Sequence, residues 1–217
     1  GTQMIVRHLH SGGTRVASPR NGLNITPEFS PDGSLLVWGF GEESGTDLVA
    51  APYPGGGDPR RITVGRGSDN VSPSFSPDGR RLAFTSSRAG HPEIYTADVD
   101  GANVELLTTY LAGDQSYRSN PAWSPDGRVV AFQSQVAGRF QIMTISLRDR
   151  GMEQLTREGI NEDPAWAPDG RHLVFTSSRT GTKQLFVLDA ETGRARQLTR
   201  AGGARLAAWS PVLDRTP

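Results

Sequence analysis

Pro121-Ala122-Trp123-Ser124-Pro125-Asp126-Gly127 recurs along this chain. Nearly the same seven residues stand at Pro73 to Gly79 and at Pro164 to Gly170, and a looser copy runs from Pro27 to Gly33. A fifth copy, Ala207-Ala208-Trp209-Ser210-Pro211, breaks off before the end. The last prolines of the copies, Pro31, Pro77, Pro125, Pro168 and Pro211, lie 46, 48, 43 and 43 residues apart. Self-similarity with a period of roughly 40 to 50 residues marks a propeller or another repeat array, whose units cannot bury their apolar faces alone.

Outward from the motif, each repeat resolves into strands. In Pro-Asp-Gly, proline presets φ, aspartate favours turns and glycine accepts positive φ, which makes a tight reversal between two strands. After the glycine the pattern alternates, with an apolar residue three places on (Leu36, Leu82, Val130, Leu173) and an aromatic five places on (Trp38, Phe84, Phe132, Phe175). Period two predicts one buried face. A second glycine in three repeats (Gly90, Gly138, Gly181) precedes a further apolar run: Ile94-Tyr95, Ile142-Met143 or Leu185-Phe186. Asp100-Gly101 and Glu191-Thr192-Gly193 then turn into a fourth strand ending Leu107-Thr108, Leu155-Thr156 or Leu198-Thr199.

The fold class is therefore all-β, a β-propeller of four-stranded antiparallel blades. Residues 1–217 are expected to form a single domain, with repeats at approximately 19–64, 65–108, 109–156 and 157–199. Residues 1–18 and 200–211 supply a split or incomplete blade. Met4 to His8 and Thr14 to Ser18 read as its third and fourth strands, and Leu206 to Ser210 as its first. The pattern is already under way at Gly1, which predicts further sequence upstream. Trp123, Trp166, Phe29 and Phe75, one aromatic per repeat, are expected between adjacent blades.

Lys plus Arg and Asp plus Glu are 23 each, so the formal net charge is +0. Nothing in that balance draws the surface to nucleic acid or anionic lipid. Cysteine is absent, which removes disulfides, thiolate catalysis and zinc-thiolate sites together. No apolar run reaches the roughly 20 residues that span a bilayer as a helix. Asp98-Val99-Asp100-Gly101 resembles the start of a calcium loop but lacks the six-residue lead-in and distal glutamate, and it stands where every repeat must turn. Glu42-Glu43 and Glu162-Asp163 are adjacent acids whose side chains point apart on a strand. His8 and His10 alone among the histidines have a two-ligand spacing. The 26 glycines form no nucleophile elbow, phosphate loop or dinucleotide fingerprint. No catalytic residue, metal site or cofactor is predicted.

One repeated segment invites a functional reading. Asn24, Asn70 and Asn161 each stand three residues before the repeat proline, and Asn120 stands just before Pro121. In a propeller the connections into the first strands open on one face. The asparagines either line a polar ring there or cap the turn with their own side chains. The longest connection, Thr109 to Asn120, carries Tyr110, Tyr117 and Arg118, residue types that anchor interfaces; a solvated insertion is the plainer alternative.

The repeated Pro-Xaa-aromatic-Ser-Pro-Asp-Gly-Arg-Xaa-Leu-Ala-Phe-Xaa-Ser, strands of the Ile94-Tyr95 type, the Leu-Thr endings and Ala208-Trp209-Ser210-Pro211 resemble the TolB family of propellers, from about Asn21 to Pro211. The resemblance implies a non-enzymatic periplasmic protein of the Tol-Pal envelope system, monomeric, that binds the peptidoglycan-associated lipoprotein through the loops before each repeat proline. Carried over by position, the partner-binding residues are Asn24, Thr26, Asn70, Ser72, Arg118, Asn120, Asn161, Glu162 and Asp163. Family members place a six-bladed propeller behind an N-terminal α/β domain. This sequence lacks that domain and is about one blade short, so contact with TolA is not carried over. Related repeats also occur in propellers of prolyl-oligopeptidase-like and tricorn-like peptidases. A gating propeller whose catalytic domain lies elsewhere, or a carbohydrate-binding propeller, is thus the alternative.

Overall fold

Each Pro-Asp-Gly forms the first hairpin of a four-stranded antiparallel sheet. The computed structural model describes residues 1–8, 11–17, 22–55, 57–65, 67–108 and 117–210, and every regular element among them is a β-strand. The chain divides into two compact units, Gly1–Leu107 and Thr108–Pro217. In the first, β1 (Ile5–Arg7) and β2 (Thr14–Val16) pair as a two-stranded antiparallel sheet. Two four-stranded meanders follow: β3 (Leu23–Phe29), β4 (Leu35–Glu42), β5 (Gly45–Pro52) and β6 (Arg60–Arg61), then β7 (Asn70–Phe75), β8 (Arg81–Ser86), β9 (Glu93–Asp98) and β10 (Glu105–Leu106). The second unit repeats the plan with β11 (Arg118–Trp123), β12 (Val129–Val136), β13 (Arg139–Ser146) and β14 (Met152–Gln154), then β15 (Asn161–Trp166), β16 (His172–Ser177), β17 (Gln184–Asp189) and β18 (Ala195–Gln197). Strand neighbours are consecutive in every sheet, which is the blade architecture of a β-propeller.

The hairpin chemistry is the same in each blade. Gly33, Gly79, Gly127 and Gly170 have φ of 71°, 70°, 74° and 68°, a conformation glycine adopts without steric cost. In three blades the serine before the proline donates its hydroxyl to the turn aspartate at 2.6 Å: Ser30 to Asp32, Ser76 to Asp78 and Ser124 to Asp126. Blade four has Ala167 there, and Asp169 instead bonds His172 Nδ1 at 2.7 Å. Hydrogen bonds to the ionised form lower both carboxyls to about 2, Asp32 chiefly through the Ser30 hydroxyl and Asp169 chiefly through the backbone amides of His172 and Arg171, with the His172 ring adding to them.

The alternating pattern supplies the core. Trp38, Phe84, Phe132 and Phe175 are fully enclosed, and Phe84 packs among Val37, Leu48, Ile62, Leu82 and Tyr95 in the first unit. In the second, Phe175 packs with Ala131, Ile142, Leu173, Phe186 and Leu188. At about 25 cal/mol per Å² of apolar surface, a buried phenylalanine contributes roughly 1.5–3 kcal/mol.

Two expectations need correction. Of the aromatics that precede the hairpins, Phe75 and Trp123 are buried, Trp166 is half-buried and Phe29 is 38% exposed. Phe29 meets Tyr53 edge to face at a centroid distance of 4.9 Å on the rim of the first unit. The segment Leu206 to Ser210 is not a strand. Leu206 has φ 58°, which breaks the extended backbone, and the Trp209 indole Nε1 donates to the Ala165 carbonyl of β15 at 3.2 Å.

Candidate functional site

The residues expected as loops before the repeat prolines lie inside the first strand of each blade. They form a bulge, because the pairing with the second strand shifts between Ile25 and Glu28, Val71 and Ser74, Ser119 and Ala122, and Glu162 and Ala165. The residue immediately before the proline is left-handed in all four: Thr26, Ser72, Asn120 and Asp163 have φ of 48°, 52°, 53° and 56°. A residue preceding proline is normally extended, and a left-handed non-glycine residue costs about 1–2 kcal/mol. The same strain recurs at one position in all four blades, so the surrounding repeat over-determines it.

That backbone turns the side chains sideways, from one blade to the next. In the first unit the Ser72 amide donates to Thr26 Oγ1 at 2.9 Å. In the second, Asn120 Nδ2 donates to Asp163 Oδ1 at 2.8 Å, while the Asp163 amide donates to Gln133 Oε1 at 3.0 Å. Each unit therefore carries its own bridged pair of pre-proline residues.

The asparagines three places before the prolines do something else. Asn24, Asn70 and Asn161 are 5%, 0% and 0% exposed, so they are removed from a direct partner contact. Asn24 accepts from Trp38 Nε1 at 2.9 Å. Asn70 Nδ2 donates to Asp47 Oδ1 at 3.1 Å, and Asn161 Nδ2 to Gln141 Oε1 at 2.9 Å. Asp47 and Gln141 stand early in the third strand of the preceding blade, where the threonine of its Leu-Thr ending also donates: Thr63 to Asp47 at 2.9 Å and Thr156 to Gln141 at 2.8 Å. Those threonines and asparagines latch one blade to the next. Arg118, which holds the asparagine position in blade three, is likewise buried at 7% exposure.

Electrostatics distinguish the second unit. Glu162 is paired with Lys183 Nζ. Asp163 is half-buried, and desolvation raises its carboxyl above the ordinary range, partly offset by the Asn120 hydrogen bond and the Lys183 charge. Lys183, Arg88 and Arg179 were not singled out by sequence, although Ser86-Ser87-Arg88 and Ser177-Ser178-Arg179 recur at one repeat position. Tyr117 is exposed and meets Phe140 edge to face at 5.5 Å; Tyr110 lies outside the described residues. His10 does too, and His8 lies within a local turn, its Nδ1 accepting from the Ser11 amide at 3.2 Å. Among the described residues no three His, Asp or Glu side chains are grouped to hold a metal ion.

The profile of the TolB beta propeller domain family matches residues 1–213. The chain belongs to that family. TolB from Acinetobacter baumannii superposes with a TM-score of 0.81 at 23% identity, over 95% of this chain and 51% of that one. A TolB-type protein from Agrobacterium tumefaciens gives 0.77 at 25% identity, over 93% and 72%. A Mycobacterium tuberculosis puromycin-hydrolyzing peptidase gives 0.70 at 18%, over 88% of this chain and 31% of the peptidase, a likeness of fold alone. The TolB-type propeller thus spans about half the length of the Acinetobacter protein it matches.

Proposed function

We propose that this TolB-type propeller is a non-enzymatic periplasmic protein-binding module, recognising a peptidoglycan-associated lipoprotein through its pre-proline row. Thr26, Ser72, Asn120, Glu162 and Asp163 make the contacts, while Asn24, Asn70, Asn161 and Arg118 hold the strands that present them. The observation that carries the reading is the left-handed pre-proline residue in all four blades, bridged to its neighbour within each unit. Strained backbone persists where surrounding structure over-determines it, and the bulge leaves Thr26 exposed and Ser72, Asn120, Glu162 and Asp163 partly exposed. The test is calorimetric titration with the soluble, lipid-free lipoprotein. Substituting Glu162 and Asp163 together by Ala should weaken binding about tenfold or more, whereas Asp126→Ala, at the opposite end of blade three, should leave it within twofold. Equal sensitivity at both ends would refute the assigned face.

A further inference from the structure

The hairpins joining β8 to β9 and β16 to β17 carry a matched constellation that the pre-proline row does not use. Arg88 stacks over Phe84 and Tyr95, its guanidinium carbon 5.6 and 4.8 Å from the ring centroids. Its Nε donates to Ser86 Oγ at 2.9 Å and its Nη2 to Asn70 Oδ1 at 2.9 Å. Arg179 repeats each part: Phe175 and Phe186 at 5.4 and 4.7 Å, Ser177 Oγ at 3.0 Å, Asn161 Oδ1 at 3.2 Å. Blades one and three have Gly41-Glu42 and Gln135-Val136 in this region and lack it. The pairings Asn70 with Ser86 and Asn161 with Ser177 place each arginine at the end of its blade where the first strand begins.

The partners of these arginines are all neutral. Among the described residues neither guanidinium has a carboxylate within ion-pair distance, and each keeps Nη1 without an acceptor. Arg61 and Arg171, by contrast, each hold two acids. Stacking on two rings and two hydrogen bonds have already removed rotamer freedom, so a carboxylate can be gripped by the remaining edge at little further entropic cost. Desolvation holds Arg179 below the ordinary arginine range, with the Glu158 charge offsetting part of it.

We propose that Arg88 and Arg179 are carboxylate receptors, each presenting the free edge of an immobilised guanidinium to an acidic side chain of the protein that docks on its blade. This rests on the reading of the pre-proline end as a protein-binding surface, and it adds the chemistry of the partner: an acidic segment.

The probe is a blocked peptide of alternating Glu and Ser, with a Gln-for-Glu peptide as control, added to the ¹⁵N-labelled chain while the arginine side-chain Nε–Hε resonances are followed. The Arg88 and Arg179 resonances should move with the Glu peptide and not with the Gln peptide. R88K and R179K, which keep the charge but lose the planar fork, should weaken binding about tenfold. Salt should weaken it further. An equal response to the Gln peptide, or movement confined to other arginines, overturns the proposal. If R88K or R179K fails to fold, the resonance shifts in the unaltered chain still decide. A second titration with the soluble lipoprotein separates the two readings. Failure of the lipoprotein to bind, while the Glu peptide engages both arginines, removes that partner and leaves the receptors. Lipoprotein affinity unchanged within twofold in R88K/R179K removes the receptors and leaves the docking surface.

Discussion

Replacing Asn161 by alanine should cost far more stability than replacing Asn120, although sequence placed both in the same segment. Asn161 is fully enclosed and makes three hydrogen bonds: Nδ2 to Gln141 Oε1 at 2.9 Å and to the Glu158 carbonyl at 3.0 Å, with Oδ1 accepting from Arg179 Nη2 at 3.2 Å. Gln141 Oε1 keeps its Thr156 donor in the variant, and the exposed Glu158 backbone and half-buried Arg179 regain water. Each lost bond then costs close to the net value of about 0.5–1.5 kcal/mol, roughly 3 kcal/mol together. For a chain of this size that is a fall in Tm of about 6–12 °C. Asn120 is half-buried, so water can replace its side chain at partners that include Asp163 at 2.8 Å and Gln133 at 3.4 Å, and Asn120→Ala should cost about 1 kcal/mol, or about 2–4 °C. Differential scanning calorimetry on the two variants and the parent decides. An Asn161→Ala protein melting within 2 °C of the parent, or an Asn120→Ala protein melting below it, would refute the division into latch and row.

Two further outcomes follow from burial and charge. Phe175→Ala should cost about 3–5 kcal/mol and Phe29→Ala less than about 1.5 kcal/mol in denaturant titrations, since Phe175 is fully enclosed and Phe29 is 38% exposed; equal costs would contradict the core assignment. Asp32 has its folded-state pKa lowered from 3.8 to about 2, chiefly by the Ser30 hydroxyl, so its contribution to stability is present above the unfolded value and is lost as the pH falls towards 2. Ser30→Ala should move the Asp32 carboxyl midpoint up towards 3.8 by ¹³C NMR, and an unmoved midpoint would show that the backbone and Ser34 donors suffice.

The blade plan was legible because it depends on short-range regularities: a period in the forties, alternation after Gly33, Gly79, Gly127 and Gly170, and turn residues at fixed offsets. The row was legible only as a place. Its geometry was not, because Thr26 is β-branched and stands before a proline, two local signals against a left-handed backbone that tertiary structure overrides. Burial of the asparagines was hidden for a different reason. It depends on partners 20 and 23 residues upstream, Gln141 for Asn161 and Asp47 for Asn70. A trace of it was on view: the amide or acid series Asp47, Glu93, Gln141 and Gln184 recurs ahead of each Leu-Thr or Ile-Thr ending. Phe29 defeated the repeat logic because an equivalent position guarantees an equivalent backbone, not an equivalent neighbour.

The latch and the row explain one another. A left-handed residue before proline costs about 1–2 kcal/mol, so four of them cost about 4–8 kcal/mol, a large share of the 5–15 kcal/mol by which a domain is stable. Such a conformation survives only if both flanks are fixed independently of the residue between them. Proline fixes the downstream flank. Two residues upstream stands a side chain that is buried in every blade: Asn24, Asn70, Arg118 or Asn161. The intervening side chain then need not fix its own backbone, which is why threonine, serine, asparagine and aspartate can occupy one backbone conformation at 26, 72, 120 and 163. A fold that holds the backbone constant while freeing the side chain can change what it binds without changing how it folds. On the proposed reading, these four residues, with Glu162, are where the binding chemistry would reside, because the blade does not dictate the side chain at 26, 72, 120 and 163.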